Sequence, residues 1–390
     1  MNAFAGSVVP TGVDSNEAPV STTLINAAGT KETTMLYERV SDLELEIRDY
    51  GLERRERDTS SGFTRATTVV SLRGGDETGR GEDVTYDNDA HDALHSDEAD
   101  FPVTGEYTLA GFSDRLSEID FFPDNEPDQS IFRNYRRWAF ESAALDLALR
   151  QADTNLAERL GRSYEQVRFV VSTRLEEPPT GDRVLEWLER NPDLEFKLDP
   201  TSGWTDDVVE RLAATDAVRT LDLKGQYHGT TVDQPADPAL YDRVIEGFPE
   251  TLIEDPELND ETRPLFEGHE ARVTWDYPIR GVGTVKDLRW EPEWLNIKPS
   301  RFGSVQSLFE TIEYCREHGI QLFGGGQFEL DVGREHLHAI ASLFYPDAPN
   351  DVAPRAYNDP DPSGDLPTSP LTPPVDPQGF SWSDSRSGEL

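Results

Sequence analysis

The stretch ETLIEDPELNDETRPLFEGHEARVTWDYPIRGVGTVKDLRWEPEWLNIKPSRFG (residues 250–303) decides the fold. Three short apolar runs recur in it, ETLIEDP (250–256), ARVTWDY (271–277) and EWLNIKP (293–299). Their length and flanking turn residues predict strands rather than helices. In LNIKPSRFGS (295–304), Leu295 and Ile297 read as one face of a buried strand and Asn296 and Lys298 as the other, before Pro and Gly end the run. A lysine at the tip of a strand buried on both faces calls for a reason.

The same unit repeats outward in both directions. VRFVVST (167–173), LEFKLDP (194–200) and VRTLDLKG (218–225) precede the stretch, and GIQLFGGG (319–326) follows it. Helical segments lie between them, such as TDDVVERLAAT (205–215) and SVQSLFETIEYCREHG (304–319), the latter with Ser304 and Gly319 as a cap pair. Seven β/α units in a row predict a parallel barrel of TIM type over residues 161–356, with DVAP (351–354) as a weak eighth strand. Upstream, residues 35–160 read as α+β. Strand-like alternation begins at Met35, TRATTVVSLRGG (64–75) pairs as a hairpin with GRGEDVTYD (79–87), and WAFESAALDLALRQA (138–152) is an amphipathic helix. Residues 1–34 lack any period and are expected to be disordered, with Met35 as the expected true start. The Pro-rich tail, 357–390, is expected to be disordered or an extended strap in which GFSW (379–382) docks an aromatic.

Composition narrows the partners. A length of 390 residues suits two domains with a sizeable core. The formal net charge is −40, with acids spread along the chain, so the surface repels nucleic acid and anionic lipid. The simplest source of such a surface is a high-salt, halophile-like cytoplasm, where screening tames self-repulsion. One cysteine, Cys315, excludes an internal disulfide and fits a reducing compartment. No apolar run is long enough to span a membrane, and no signal peptide is expected, so the expected location is cytoplasmic.

In a TIM-type barrel the chemistry sits at the C-terminal strand tips. Strand parity places Lys197 and Asp199 on barrel strand two and Asp222 and Lys224 on strand three. Glu254 falls on strand four, Asp276 on strand five and Lys298 on strand six. Residues 222, 254, 276 and 298 follow one another at steps of 32, 22 and 22, each about one β/α unit. Three carboxylates converging in a closed barrel cannot all stay ionised unless a cation joins them, and all-oxygen ligands select a hard one, Mg²⁺ first, at one ion per barrel. Such an ion grips a substrate carboxylate and stabilises the enediolate formed when the α-proton leaves. Lys298, beside it, is placed to act as the neutral base.

These motifs resemble the enolase superfamily, in its mandelate racemase and muconate-lactonizing branch. IEDP (253–256) is similar to that family's strand-four Glu-x-Pro segment, and NIKPSRFGS to its strand-six lysine with Pro-Ser-Arg-x-Gly. FGGGQFELDVGREHLHAIASLFYP (323–346) is similar to its seventh-strand glycine turn, Glu and helix, and AFESAALDLAL to the helix that links cap and barrel. The resemblance runs from about residue 36 to 382. It implies an α+β capping domain before a modified (β/α)7β barrel. It also implies Asp222, Glu254 and Asp276 as metal ligands, and lyase, cycloisomerase or epimerase chemistry on a small carboxylate in a possible homo-oligomer. Three departures stand out. The family's Lys-x-Lys on strand two is Lys197-x-Asp199 here, its strand-three Asp-Ala-Asn is Asp222-Leu-Lys224, and its strand-five Asp-Glu-Ser is Asp276-Tyr-Pro. Asp199 and Lys224 fall at adjacent tips and are expected to pair. Either Lys224 then supplies the second acid/base group, or the pair is structural and Lys298 acts alone; Lys197 as the acid is a third option.

Other candidates carry bland alternatives. Arg65, in the lid-like loop SSGFTR (60–65), is a candidate to bind a second carboxylate, against an ordinary turn before a strand. Tyr227 and His228 follow strand three and face either the pocket or solvent. Gln327 and Glu329 follow the seventh-strand glycines and contact either substrate or their own loop. His336 and His338, at i and i+2 on a helix, fall on different faces, which argues against a metal role. A non-catalytic relative that binds metal and a carboxylate ligand, or a barrel with no metal, remains open beside the enzyme reading.

Overall fold

The computed structural model describes residues 35–95, 100–123, 126–230, 232–362 and 366–383. The expected N-terminal extension, residues 1–34, lies outside them. The β-branched run Thr67–Val70 lies in Thr64–Gly74, the central strand (β3) of an antiparallel sheet with β2 (Asp49–Asp58) and β4 (Glu77–Asp83). A shorter pair, β1 (Glu44–Ile47) and β5 (Gly105–Thr108), lies apart from that sheet in the pairing order. Helices α1 (Asn88–Leu94), α2 (Leu109–Ser117) and α3 (Ile131–Gln151) complete the region. Gly81 lets α3 approach β4, because a Cβ there would stand 2.0 Å from the Ala139 carbonyl oxygen. Helix α3 begins seven residues before the expected start at Trp138. Its first turns hide their buried face behind Arg136, whose guanidinium is 3% exposed and ion-paired with Asp83 at 2.8 Å. A buried arginine breaks the apolar period that sequence reading follows.

The barrel follows: α4 (Leu156–Leu160), β6 (Val171–Thr173), α5 (Asp182–Arg190), β7 (Phe196–Leu198), α6 (Asp206–Ala213), β8 (Val218–Asp222), α7 (Pro238–Gly247) and β9 (Leu252–Glu254). After these come β10 (Val273–Trp275), α8 (Val282–Lys286), β11 (Trp294–Ile297), α9 (Val305–Glu317), β12 (Gln321–Gly324) and α10 (Val332–Phe344). Strands β6 to β12 form one curled parallel sheet in sequence order. This is the α+β cap with a modified TIM-type barrel that the sequence leads one to expect. Between β9 and β10 the described connection holds only 3₁₀ turns, Arg263–Phe266 and Glu270–Arg272. Ser304 caps α9, accepting from the Ser307 N–H at 3.1 Å.

The eighth barrel position is filled by two residues. Asn350 bridges Phe169 next to β6, and Asp351 bridges Gly325 at the end of β12. The Asn350 amide does much of the closing: Oδ1 accepts from Gly324 N–H at 2.7 Å, and Nδ2 donates to the Arg168 carbonyl at 2.9 Å. Of DVAP, only Asp351 bridges a strand: its N–H donates to the Gly324 carbonyl at 2.8 Å and the Asn350 carbonyl accepts from the Val170 N–H at 2.8 Å, so the seam is two backbone bridges and one side-chain amide rather than a full strand.

Cap and barrel are tied at one helix end. The buried Glu82 carboxylate, on β4, accepts from the N–H groups of Leu330 at 2.6 Å, Asp331 at 3.0 Å and Gly333 at 2.8 Å. It therefore satisfies the orphan donors at the start of α10 from another part of the chain.

In the tail, Leu371 bridges Val167, Gly379 bridges Asn155, and the ring of Phe380 stacks on His336 at 4.1 Å. His336 and His338 are both buried, and burial pushes each down to about 3. A folded value below the unfolded 6.5 means that this stability is present above pH 6.5 and is lost as pH falls toward 3, by about 1.4 kcal/mol per pH unit for each group. His336→Phe is expected to shrink the loss of unfolding free energy between pH 7 and pH 5 by about 2 kcal/mol. Urea unfolding at the two pH values checks this; an unchanged difference would mean that His336 is not buried neutral.

Candidate active site

The strand tips converge as parity requires. Asp222, Glu254 and Asp276 end or follow β8, β9 and β10, are 0% exposed, and offer one oxygen each with all three atoms within 4.8 Å of one another. Lys197, inward on β7, ion-pairs with Glu254 and lies 3.2 Å from Asp222 and 3.5 Å from Asp351. Lys298 follows β11 and lies 3.0 Å from Asp276 Oδ2. Lys224 follows β8, pairs with Asp222, and lies 3.5 Å from Asp199 Oδ1. The other oxygen of Asp199 accepts from Arg174 at 3.0 Å.

Charge in this dry space is unevenly shared. Burial works against the Lys197 ammonium, but Glu254 and Asp222 hold it well above the usual lysine range. The same opposition, won by Asp199 and Asp222, raises Lys224. Asp276 is buried too, yet Arg301 and then Lys298 hold it far below the ordinary carboxylate range. Two acids go the other way. Burial raises Glu254 well above its usual value despite Lys197, and burial with Asp276 and Asp222 nearby pushes Asp255 up to about 7. The carboxylates therefore exceed what the lysines and Arg301 neutralise. A hard divalent cation fits the donor set, since it takes oxygen ligands and supplies the missing positive charge.

Several residues outside the expected set complete the site. The Arg301 guanidinium spans both oxygens of Asp276, at 2.8 and 3.2 Å, and is 2% exposed. Asn296 Nδ2 donates to Glu254 Oε2 at 3.0 Å. Asp255, in a left-handed conformation at φ +49°, accepts from the Asp276 and Tyr277 N–H groups and so orients the β10 tip. The sequence signal for Arg301 and Asn296 was the NIKPSR run itself, where parity places Asn296 beside Lys298.

The remaining expected residues divide. Tyr227 joins the site: its hydroxyl donates to Asp276 Oδ2 at 2.7 Å and accepts from Arg301 at 3.2 Å. His228 does not. Its side chain is 64% exposed and its nearest charge partner is Asp233 at 3.8 Å. Arg65 is buried, but its guanidinium donates to the carbonyls of Ala66, Thr85, Val84 and Gln327, so those donors hold the loops together. Glu329 Oε1 accepts from Gln327 N–H at 2.7 Å, and Oε2 faces Arg334 at 3.4 Å, a contact within its own loop and helix. Gln327 lies 4% exposed in that loop.

Gly325 stands where Lys298 must lie. A Cβ there would meet Asn296 Oδ1 at 2.5 Å and Lys298 Cε at 2.7 Å. Gly325→Ala is therefore expected to leave the barrel folded but to push the Lys298 side chain away from Asp276. A crystal structure of that variant with the Lys298 Nζ still beside Asp276 would show that Lys298 needs no such clearance.

A family model described as the C-terminal domain of a domain of unknown function, DUF8230, matches residues 163–359, and its N-terminal counterpart matches residues 38–159. The chain belongs to the DUF8230 family. An o-succinylbenzoate synthase of Geobacillus kaustophilus is 28% identical to this DUF8230 chain over 240 residues, covering 57% of the chain and 60% of that enzyme. The DUF8230 chain thus spans about three fifths of the length of that curated relative. Among solved structures, an enolase superfamily member from Listeria innocua superposes with a TM-score of 0.61 at 17% identity, covering 82% of this chain and 88% of that one. A dipeptide epimerase from Methylococcus capsulatus, solved with Mg and the dipeptide L-Arg-D-Lys, reaches 0.63 at 17% identity, covering 86% and 99%. At such identity the likeness speaks for the fold: the DUF8230 chain has the same cap-and-barrel architecture as these structures.

Proposed function

We propose that this DUF8230 chain is a lyase- or isomerase-type enzyme that removes the proton α to the carboxylate of a small substrate, with Mg²⁺ held by Asp222, Glu254 and Asp276. The observation that carries the reading is the convergence of three fully buried carboxylates from neighbouring strands beside the Nζ of Lys298. The named relatives lend support, since o-succinylbenzoate and a dipeptide both bear carboxylates. When bound, the cation supplies a positive charge that stabilises negative charge on the substrate carboxylate.

The chain's own residues do the rest. Arg301 neutralises Asp276 and the Tyr227 hydroxyl donates to it, so Asp276 keeps a full counter-charge when the Lys298 amine turns to the substrate. Lys298 takes the α-proton: the C–H bond breaks, an N–H bond forms, and the electron pair spreads into the carboxylate. Asn296 and Lys197 fix Glu254. Burial excludes water from the reacting carbon.

Deuterium incorporation tests the reading. The protein is incubated with Mg²⁺ in D₂O at high salt with N-succinylamino acids, dipeptides, muconate, the precursor of o-succinylbenzoate and sugar acids. Mass spectrometry then reads deuterium at the α-carbon or loss of water. Exchange that disappears in Lys298→Ala supports the enzyme. A protein that binds Mg²⁺ and exchanges none of these points to the second reading, a carboxylate-binding relative without turnover. Asp199, standing where the family resemblance implies a lysine, is what favours that alternative.

A further inference from the structure

The turn that follows Lys298 is held from outside the barrel. Pro299–Phe302 forms one 3₁₀ turn that ends on Gly303, in the left-handed conformation at φ +71°. Arg301 is tied at both ends of its own backbone. Its N–H donates to the Lys298 carbonyl at 2.9 Å, and its carbonyl accepts from Asn134 Nδ2 at 2.7 Å. Asn134 belongs to the cap helix α3, in the turns ahead of Trp138. Helix and turn are in close contact: a Cβ on Gly303 would meet Asn134 Cγ at 3.2 Å and its Cα at 3.3 Å. Glycine is needed there for the backbone angle and for the clearance alike.

Two helical turns further along the same face of α3, Glu141 Oε1 accepts from the Val305 N–H at 3.0 Å. The two contacts have different tasks. Glu141 satisfies an orphan donor at the start of α9, takes the Ser113 hydroxyl as well, and faces Arg137 at 3.5 Å. Asn134 instead grips the residue whose side chain reaches the acid row. The Arg301 guanidinium spans both oxygens of Asp276, and Tyr135, next to Asn134 on the helix, neighbours the same guanidinium. A two-pronged clamp fixes the plane of a carboxylate as well as balancing its charge. The direction in which Asp276 presents its oxygens thus follows from where Arg301 stands, and the place of Arg301 follows from Asn134.

We infer that Asn134 is a positioning residue of the metal site, through which the cap helix α3 sets the orientation of Asp276 by way of Arg301. The inference rests on the Mg²⁺ site of the reading above. The relay is short: amide to carbonyl, then guanidinium to carboxylate. Without the amide, the turn after Lys298 loses one of its two backbone ties, and Arg301 keeps its charge but loses its aim. Asp276 must then be oriented at the moment the cation binds, and that ordering weakens binding. The affinity of the barrel for its cation is in this way set partly by the cap.

Asn134→Leu tests this. Leucine is close to asparagine in size, cannot donate, and is the better helix former, so α3 is expected to hold. Calorimetric titration of the full chain with Mg²⁺ should give a Kd raised ~10-fold over wild type, the low end of what partners behind a metal ligand contribute. The melting temperature in chelator should stay within a few degrees of wild type. Asn134→Ala, smaller and also without a donor, should match it and guards against a leucine that does not fit beside Gly303. Glu141→Gln is the comparison: it keeps an acceptor for the Val305 N–H but takes the counter-charge from Arg137, so it should melt lower and bind Mg²⁺ as wild type does. A wild-type Kd in either Asn134 variant overturns the inference and leaves the proposed function standing. So does an equal weakening in Glu141→Gln, since any loosening of α3 would then be felt at the site. A wild type that takes up no Mg²⁺ removes the metal site and the inference together.

Discussion

Lys298→Ala is expected to lower α-proton exchange by ~10²–10⁴-fold while leaving the fold intact. The size follows from removing the one amine that stands beside the acid row without being needed to neutralise it. Asp276 keeps the two Arg301 contacts, at 2.8 and 3.2 Å, and the Tyr227 hydroxyl at 2.7 Å. Its charge therefore stays compensated, and the melting temperature should move by only a few degrees, as for a change worth about 1 kcal/mol. Exchange kinetics and thermal melting on the same preparation check both halves. A variant that melts far lower would recast Lys298 as a structural counter-ion; one that exchanges at the wild-type rate would remove it from the chemistry.

Lys197→Met should do the opposite. Methionine matches the length of the lysine stem but leaves Glu254 and Asp222 facing each other in a space with almost no solvent. Breaking a buried ion pair by removing one partner costs about 3–5 kcal/mol. In the presence of a chelator the variant is expected to unfold more easily by that amount. Mg²⁺ should return much of it, because a divalent ion between the same oxygens replaces the lost charge. The rise in melting temperature on adding Mg²⁺ should then be larger in the variant than in wild type. An absent rise would show that the acid row does not hold the cation, and an equal rise that Lys197 and the cation do not share the same oxygens. Lower pH should narrow the gap between the chelated variant and wild type: Glu254 has a raised value in the fold, so it binds a proton there before the unfolded chain does, and its own contribution to stability grows as pH falls.

The strands of the barrel and the row Asp222, Glu254, Asp276 and Lys298 were legible because strand parity is a two-residue rule that tolerates no drift. Once the tips are found, the inward residue at each follows. Other features were not legible, for reasons that can be named. The eighth stave is two residues, Asn350 and Asp351, whose backbone bridges are reinforced by the Asn350 amide, and no hydropathy pattern marks so short a piece. Arg301 reads as a loop cation until the fold brings it onto Asp276. Arg65 reads as a free guanidinium, but its partners are carbonyls of segments distant in sequence, such as Gln327. Tyr227 and His228 are neighbours with the same polarity on paper. The turn sends one ring inward and the other out, and only the turn's geometry separates them.

The Glu82 contact with the start of α10 bears on how such chains can be recombined. The helix after the seventh strand takes its terminal ligand from the front third of the sequence, at a distance of some 250 positions along the chain. A hybrid that joins this cap to another barrel would bring a buried carboxylate with nothing to receive it, or leave three amide hydrogens with nothing to accept them. The loop at risk, residues 327–331, follows directly on Gly325 and Gly326, the first of which abuts Lys298, so a mismatched graft would disturb the strand-tip end of the barrel even if both halves folded. Successful grafts in this architecture should therefore carry residue 82 together with the 327–333 segment, as one inheritable unit split across two places in the gene.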